Sequence, residues 1–263
     1  MKRLISANTS EILAMSAAEL KQSIKASEGR VILSENVAVR ESFVGDITNA
    51  EIARAFGADL ILLNCVDVLK PEIFGLKHDK DNFVSGLRRL VGRPIGVNLE
   101  PVDSQAEMLE DRLEIPRGRQ LNLDTVKRLE EVGFDFVCLT GNPGTGVTNE
   151  QIEKAIRLTK EHFSGLVIAG KMHGAGSDEP VADLTIAKQF IEAGADVILV
   201  PAVGNVPGID MEELKAVVSE VHRCGGLVLS AIGTSQESSD EDTIKGIAIQ
   251  HKHCGVDIQH IGN

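Results

Sequence analysis

Eight short apolar runs, each opened by a glycine, recur along this chain and sort into two alternating sets. One set has the form Gly-x-x-strand: Gly29–Asn36, Gly92–Asn98, Gly165–Lys171 and Gly226–Ile232. The other has the form Gly-x-Asp-strand: Gly57–Asn64, Gly133–Thr140, Gly194–Pro201 and Gly255–Gly262. The runs are short, rich in β-branched residues and nearly continuous. Strands covered on both faces of a parallel sheet read this way.

Amphipathic helical patterns separate the runs, over 46–56, 122–132, 149–162, 183–193, 210–224 and 240–253. Several end on a glycine, as at Ala193-Gly194, where a left-handed residue stops a helix. Parallel strands alternating with helices predict an α/β fold, a (β/α)8 TIM barrel of parallel strands, with residues 1–263 as one domain. A doubly wound open sheet is the alternative, but it lacks this even, fourfold pairing of runs.

Composition narrows the function. Hydrophobic residues make up 43% and charged residues 25%, an ordinary globular balance. The formal net charge of −12 argues against nucleic acid or an anionic membrane as partner. Trp and Tyr are absent, so base-stacking platforms are excluded. Met1–Asn8 has a basic start without an apolar stretch behind it, unlike a signal peptide, and no window reaches the about 18 apolar residues of a membrane span. Cys65, Cys138, Cys224 and Cys254 form no Cys-x-x-Cys motif and read as reduced thiols. A cytoplasmic protein is expected.

Two features depart from the repeat. The connection after the third strand, 101–121, is long and carries Glu107, Glu110, Asp111, Arg112, Glu114, Arg117 and Arg119. Length of this kind marks a lid, a binding loop or an oligomer contact. The sequence also stops right after the eighth strand, so no eighth helix follows. A helical pattern over 17–27, capped by Ser16 and carrying Leu20 and Ile24 on one face, is expected to cover the seam between the last strand and the first. The alternative is that it plugs the bottom of the barrel.

Barrel active sites lie at the C-terminal ends of the strands. Taking Ile95, Val97 and Leu99 as facing the helix layer leaves Gly96, Asn98 and Glu100 inward. Transferred through the glycine alignment, this register predicts a polar ring of Glu35, Asn64, Asn98, Glu100, Thr140, Lys171, His173 and His260 at the mouth. Buried polar groups at this density cost stability unless function or mutual pairing offsets it. Glycine-rich loops follow the later strands: 141–146, 174–177, 204–208 and 233–238. Gly233, Thr234, Ser235 and Gly262 fit the place where barrels bind phosphate. No Walker or G-x-G-x-x-G motif and no Gly-x-Ser-x-Gly elbow occurs. His251-Lys252-His253-Cys254 reads as a surface run on the opposite, stability-bearing face.

Arg93–Asn98 and Leu139–Gly146 resemble segments of the BtpA/SgcQ-like TIM barrels. The resemblance implies a barrel and carries no assigned catalytic residue.

Three functions fit these residues. The first is an aldolase-like lyase or an isomerase acting on a small anionic, phosphorylated metabolite. Its central Lys171 would bind the anion or form a Schiff base, with Glu100, His173 and Glu35 moving protons. Asn64, Asn98, Thr140 and His260 would bind substrate. The second is a lyase or hydrolase dependent on a divalent metal such as Mg, held by Glu35, Glu100, His173 and His260. The third is a metabolite-binding or assembly barrel without chemistry, in which Lys171 makes a structural ion pair. A homo-oligomer is expected in each case.

Overall fold

A computed structural model describes residues 1–263 except 78, 208, 234, 235, 237, 238 and 263. The strands are β1 (Val31–Val37), β2 (Leu60–Asn64), β3 (Ile95–Leu99), β4 (Phe136–Leu139), β5 (Leu166–Gly170), β6 (Val197–Pro201), β7 (Leu227–Ile232) and β8 (Ile258–Gly262). All neighbours pair in parallel, and β8 returns to β1 to close a barrel in sequence order. Each of the eight glycine-led runs contains one strand, so the fold is the TIM barrel expected.

Helices pack around the outside. They are α3 (Asn49–Ala55), α4 (Phe83–Val91), α5 (Leu123–Val132), α6 (Asn149–His162), α7 (Leu184–Ala193), α8 (Met211–Arg223) and α9 (Glu241–Cys254), preceded by α1 (Thr9–Ile12) and α2 (Ala17–Lys25). Their starts are set by side-chain caps. Ser16, Thr48, Asn122 and Asp210 each accept from the first-turn backbone, and the residue three positions on reaches back to the cap N–H. Helix α4 was not among the expected helical patterns. It buries Phe83, Val84, Leu87 and Val91 although Ser85 and Gly86 weaken its helical signal.

Two apolar layers result. Ile95, Val97, Leu99, Val137, Val167 and Ala169 belong to the core between strands and helices. Val31, Leu33, Leu60, Leu62, Phe136, Cys138, Leu166, Ile168, Leu227 and Leu229 fill the barrel interior. Gly96 is needed here, because a Cβ at that position would lie 2.2 Å from the Phe136 ring.

The N-terminal segment does not lie over the β8–β1 seam. Leu4, Ile12, Leu20 and Ile24 are buried in the same cluster as the interior strand residues, so η-turn Leu4–Ser6, α1 and α2 close the bottom of the barrel. Contacts at the strand starts agree: Arg93 donates to Thr9 Oγ1, and Lys21 pairs with Asp196 at 3.2 Å. The reason is geometric. A barrel bottom leaves the lowest interior leucines open, and full burial of a Leu or Ile there contributes about 1.5–3 kcal/mol. The outer seam is flatter, and the outward Ile32 on β1 remains 39% exposed.

The His251 run also differs from the surface role expected of it. His251 is fully buried between α9 and the sheet, with Nε2 3.1 Å from Ser230 Oγ and Nδ1 2.9 Å from Gln259 Oε1. No helix of the described residues is long and apolar enough to cross a membrane.

Candidate active site at the barrel mouth

Polar side chains replace apolar ones where the strands reach the C-terminal rim. Glu35 continues the inward series Val31, Leu33 on β1 and is buried. Its carboxylate accepts from Asn98 Nδ2 on β3 at 2.5 Å and from His260 Nε2 on β8 at 2.6 Å. His260 pairs in register with Leu33 and Gly262 with Glu35, so His260 lies one layer below the carboxylate. Thr140 follows β4 in the inward register. Asn98 Oδ1, Thr140 Oγ1 and His260 Nδ1 are buried with no hydrogen-bond partner among the described residues.

A second network sits beside this one. Glu100 Oε1 accepts from Arg119 at 2.7 Å and from Asn142 Nδ2 at 3.0 Å, while Oε2 accepts from the Asn142 backbone N–H at 2.9 Å. Asn142 and Asn64 exchange amide hydrogen bonds at 2.9 and 3.2 Å. The long connection after β3 delivers Arg119: its backbone runs beside Glu100, with Glu100 N–H donating to Arg119 O at 2.9 Å.

Beside the second network lies a cleft of about 730 Å3 whose charged lining is Arg40, Asp67, Lys70, Glu72 and Arg119, with Asn64, Cys65 and Asn142 among the other residues. Cys65 follows directly after β2 with φ +64, an uncommon conformation for a residue other than glycine. Burial raises its thiol pKa, with Arg119 opposing. Pro143 also borders a second hollow of about 520 Å3 that contains His173, Glu110 and the 174–177 turn. His173 Nδ1 accepts from the Ala175 N–H at 3.0 Å. Burial lowers the His173 pKa, and Glu35 acts against that shift. The neutral ring therefore presents Nε2–H as a donor.

Lys171 does not join the ring. Leu166 and Ile168 face inward, Val167 and Ala169 outward, and the next inward side chain beyond Gly170 is Met172, which packs against the interior cluster. The Lys171 ammonium is 1% exposed and donates to Glu179 at 2.7 Å and Ser177 Oγ at 3.2 Å. Burial lowers its pKa and the Glu179 carboxylate opposes this. Glu179 in turn accepts from Asn149 N–H at the start of α6, so the pair ties the β5 loop to a helix. The error has a definite source. In β1 the inward residues lie an even number of positions after the leading glycine, whereas in β5 and β7 they lie an odd number after it, as Leu166 and Leu227 show. A shift of one residue exchanges the faces of a strand.

The remaining expected residues are accounted for as follows. Glu35, Asn64, Asn98, Glu100, Thr140 and His260 come together at the mouth. Gly262, at φ +108, serves closure: a Cβ there would lie 2.1 Å from the Glu35 carbonyl oxygen. Gly233 is buried beside the Met172 thioether and the Gly262 carbonyl. Thr234 and Ser235 lie outside the described residues.

The four ligands considered from sequence for a divalent ion, Glu35, Glu100, His173 and His260, do not form one cluster. Among the described residues no group of three or more His, Cys, Asp or Glu side chains converges. Both oxygens of Glu35 and both of Glu100 are taken by N–H donors, one of them a guanidinium. Arg119, Asn142, Cys65 and Met172 were not singled out as site residues from sequence. Arg119 and Asn142 did lie in the two segments singled out as functional loops, the charged connection and the 141–146 glycine loop.

Fold and site together define a TIM barrel with a polar, charged mouth. The chain belongs to the family described as a domain of unknown function, DUF7916, whose profile matches residues 5–263. No curated protein matches the chain in sequence. Similar solved structures include a putative lyase/mutase from Burkholderia cenocepacia J2315, with TM-score 0.59, 16% identity, 94% of this chain and 81% of that chain covered. Phosphoenolpyruvate phosphomutase from Streptomyces platensis subsp. rosaceus has TM-score 0.58, 15% identity, 94% and 80% covered. The 2,3-dimethylmalate lyase, a PEP mutase/isocitrate lyase superfamily member, has TM-score 0.55, 13% identity, 93% and 80% covered. At these identities the likeness is one of fold.

Proposed function

We propose that this chain is a barrel enzyme of lyase or isomerase type that takes a small anionic metabolite, carboxylate or phosphate, into the cleft above Arg119. The observation that carries the reading is Arg119 itself. One of its nitrogens is fixed by buried Glu100 at 2.7 Å while the side chain lines a cleft that also contains Arg40 and Lys70. An arginine held in this way keeps further donors in a fixed fork, suited to bidentate pairing with an anion. The similar solved structures are named for 2,3-dimethylmalate and phosphoenolpyruvate, both small anions, which supports the reading.

Within it, Glu35 handles the proton. A carboxylate has more lone pairs than the two it uses here, and Asn98 and His260 position it. His173 donates from Nε2 at the second hollow. Lys171 secures the β5 loop through Glu179 instead of forming a Schiff base. One observation favours a second reading: each oxygen of both buried carboxylates already accepts from a protein N–H, which also suits a barrel that binds its metabolite without turnover.

The test is incubation of the protein with short-chain hydroxy acids, oxo acids and phosphate esters, followed by proton NMR. Cleavage or rearrangement of one member, lost in Glu35→Gln, is expected. Binding of a member with no consumption of any would overturn the enzymatic reading in favour of the binding one.

A further inference from the structure

The rim of the mouth carries three cations, Arg40, Lys70 and Arg119, beside two carboxylates, Asp67 and Glu72. At the inner end the carboxylate of Glu35 engages the two nearest donors, Asn98 Nδ2 and His260 Nε2. Because a carboxylate only accepts, it fixes how both partners are turned. The Asn98 amide must aim its NH2 at Glu35, which leaves Oδ1 unpartnered. The His260 ring points a proton on Nε2 at the same carboxylate, and its Nδ1 has no partner. Thr140 Oγ1 is the third such atom. The residues that carry these atoms are 1–3% exposed.

Unpartnered buried polar atoms are individually destabilising. Three of them at the catalytic end of one barrel, on β3, β8 and the residue after β4, are an unusual concentration. Asn98 Oδ1 can only accept, whereas Thr140 Oγ1 can both donate and accept. An anion placed there would meet lone pairs and a carboxylate. An ammonium would have to share Glu35 with Asn98 and His260, whose N–H groups already occupy one position on each of its oxygens. A hydroxyl satisfies two of the three, since it donates to Asn98 Oδ1 and accepts from Thr140 Oγ1.

We propose that Asn98 and Thr140 form a recognition site for a hydroxyl group, so that the ligand of this barrel is a hydroxy acid with its hydroxyl inward and its anion on Arg119. This rests on the anion-binding reading above and specifies it. Met172 packs over the interior near Gly233, and its unbranched thioether can yield as the hydroxyl end enters.

The experiment compares matched ligands. Short-chain hydroxy acids are titrated into the purified protein beside the deoxy, oxo and amino acids of the same skeleton, as carboxylates and as phosphate esters. A hydroxy acid should bind about tenfold or more tighter than its deoxy and amino partners, the size of one well-made buried hydrogen bond. In Thr140→Val that preference should shrink severalfold while the Tm of the ligand-free protein rises, because an unpartnered hydroxyl is replaced by a methyl of the same shape. Equal affinity across a matched set overturns the hydroxyl site and leaves the anion reading standing. Preference for the amino partner overturns it in favour of an ammonium. Failure of every anion to bind overturns the anion reading and the hydroxyl site with it. A fall in Tm for Thr140→Val, with the hydroxyl preference intact, makes Thr140 structural and overturns its role.

Discussion

Glu35 Oε2 accepts a hydrogen bond from His260 Nε2 at 2.6 Å, and this contact joins the first strand of the barrel to the last. Both side chains are essentially inaccessible, at 0% and 1%. Asn98 on β3 binds the other oxygen, so one carboxylate fastens three strands at the rim. Removing one partner of a buried pair leaves the other uncompensated. Glu35→Ala is expected to cost about 3–5 kcal/mol and lower Tm by roughly 6–20 °C. The double variant with His260→Ala should lose less than the two single losses combined. Additive losses in thermal unfolding would show that the two residues act separately.

Burial lowers the His251 pKa below its ordinary value of 6.5, with Gln259 opposing. The unfolded chain then binds more protons than the folded one as pH falls through 6.5. Stability contributed by neutral His251 is therefore full above that pH, and declines below it until the folded ring itself titrates. Burial shifts His173 in the same direction. Chemical denaturation between pH 7.5 and pH 5 should show falling stability, with a shallower slope in His251→Gln. An unchanged slope in that variant would place the titration elsewhere.

Lys171→Met removes the ammonium from Glu179 and Ser177. Glu179 is 31% exposed, so its lone charge remains partly solvated. The loss of stability should stay near 1–2 kcal/mol, below that of a fully buried pair. Anion binding at Arg119 should persist. Loss of binding with unchanged stability would restore Lys171 to the chemistry.

The bottom plug has its own signature. Leu20→Ala is expected to cost about 2–5 kcal/mol, as for a buried core leucine, because Leu20 packs with the barrel interior. A surface-like cost below about 0.5 kcal/mol would mean that α2 is dispensable.

The barrel was legible because glycine-led, doubly buried strands have few alternatives. Register within the even strands was legible too: Asn64, Thr140 and Gly262 all lie where their common spacing from a glycine puts them. Lys171 was misplaced because the odd strands do not share one such spacing, and nothing local to Gly165–Lys171 reports which face its core neighbour occupies. Arg119 could be placed in a functional loop but not at Glu100, since a long connection folds back by tertiary contacts that leave no periodic trace. The N-terminal helix showed its apolar face, Leu20 and Ile24, without showing whether the barrel bottom or its seam would receive it.

The central claim is that Arg119 is the anion-binding group of the mouth. It is tested most directly by calorimetric titration of short-chain hydroxy acids and phosphate esters into the wild-type protein and Arg119→Met. Binding by the wild type, weakened about tenfold or more in the variant as expected for a charge-assisted hydrogen bond, is the predicted result. Equal affinity in the two proteins, or no binding by either, would contradict it.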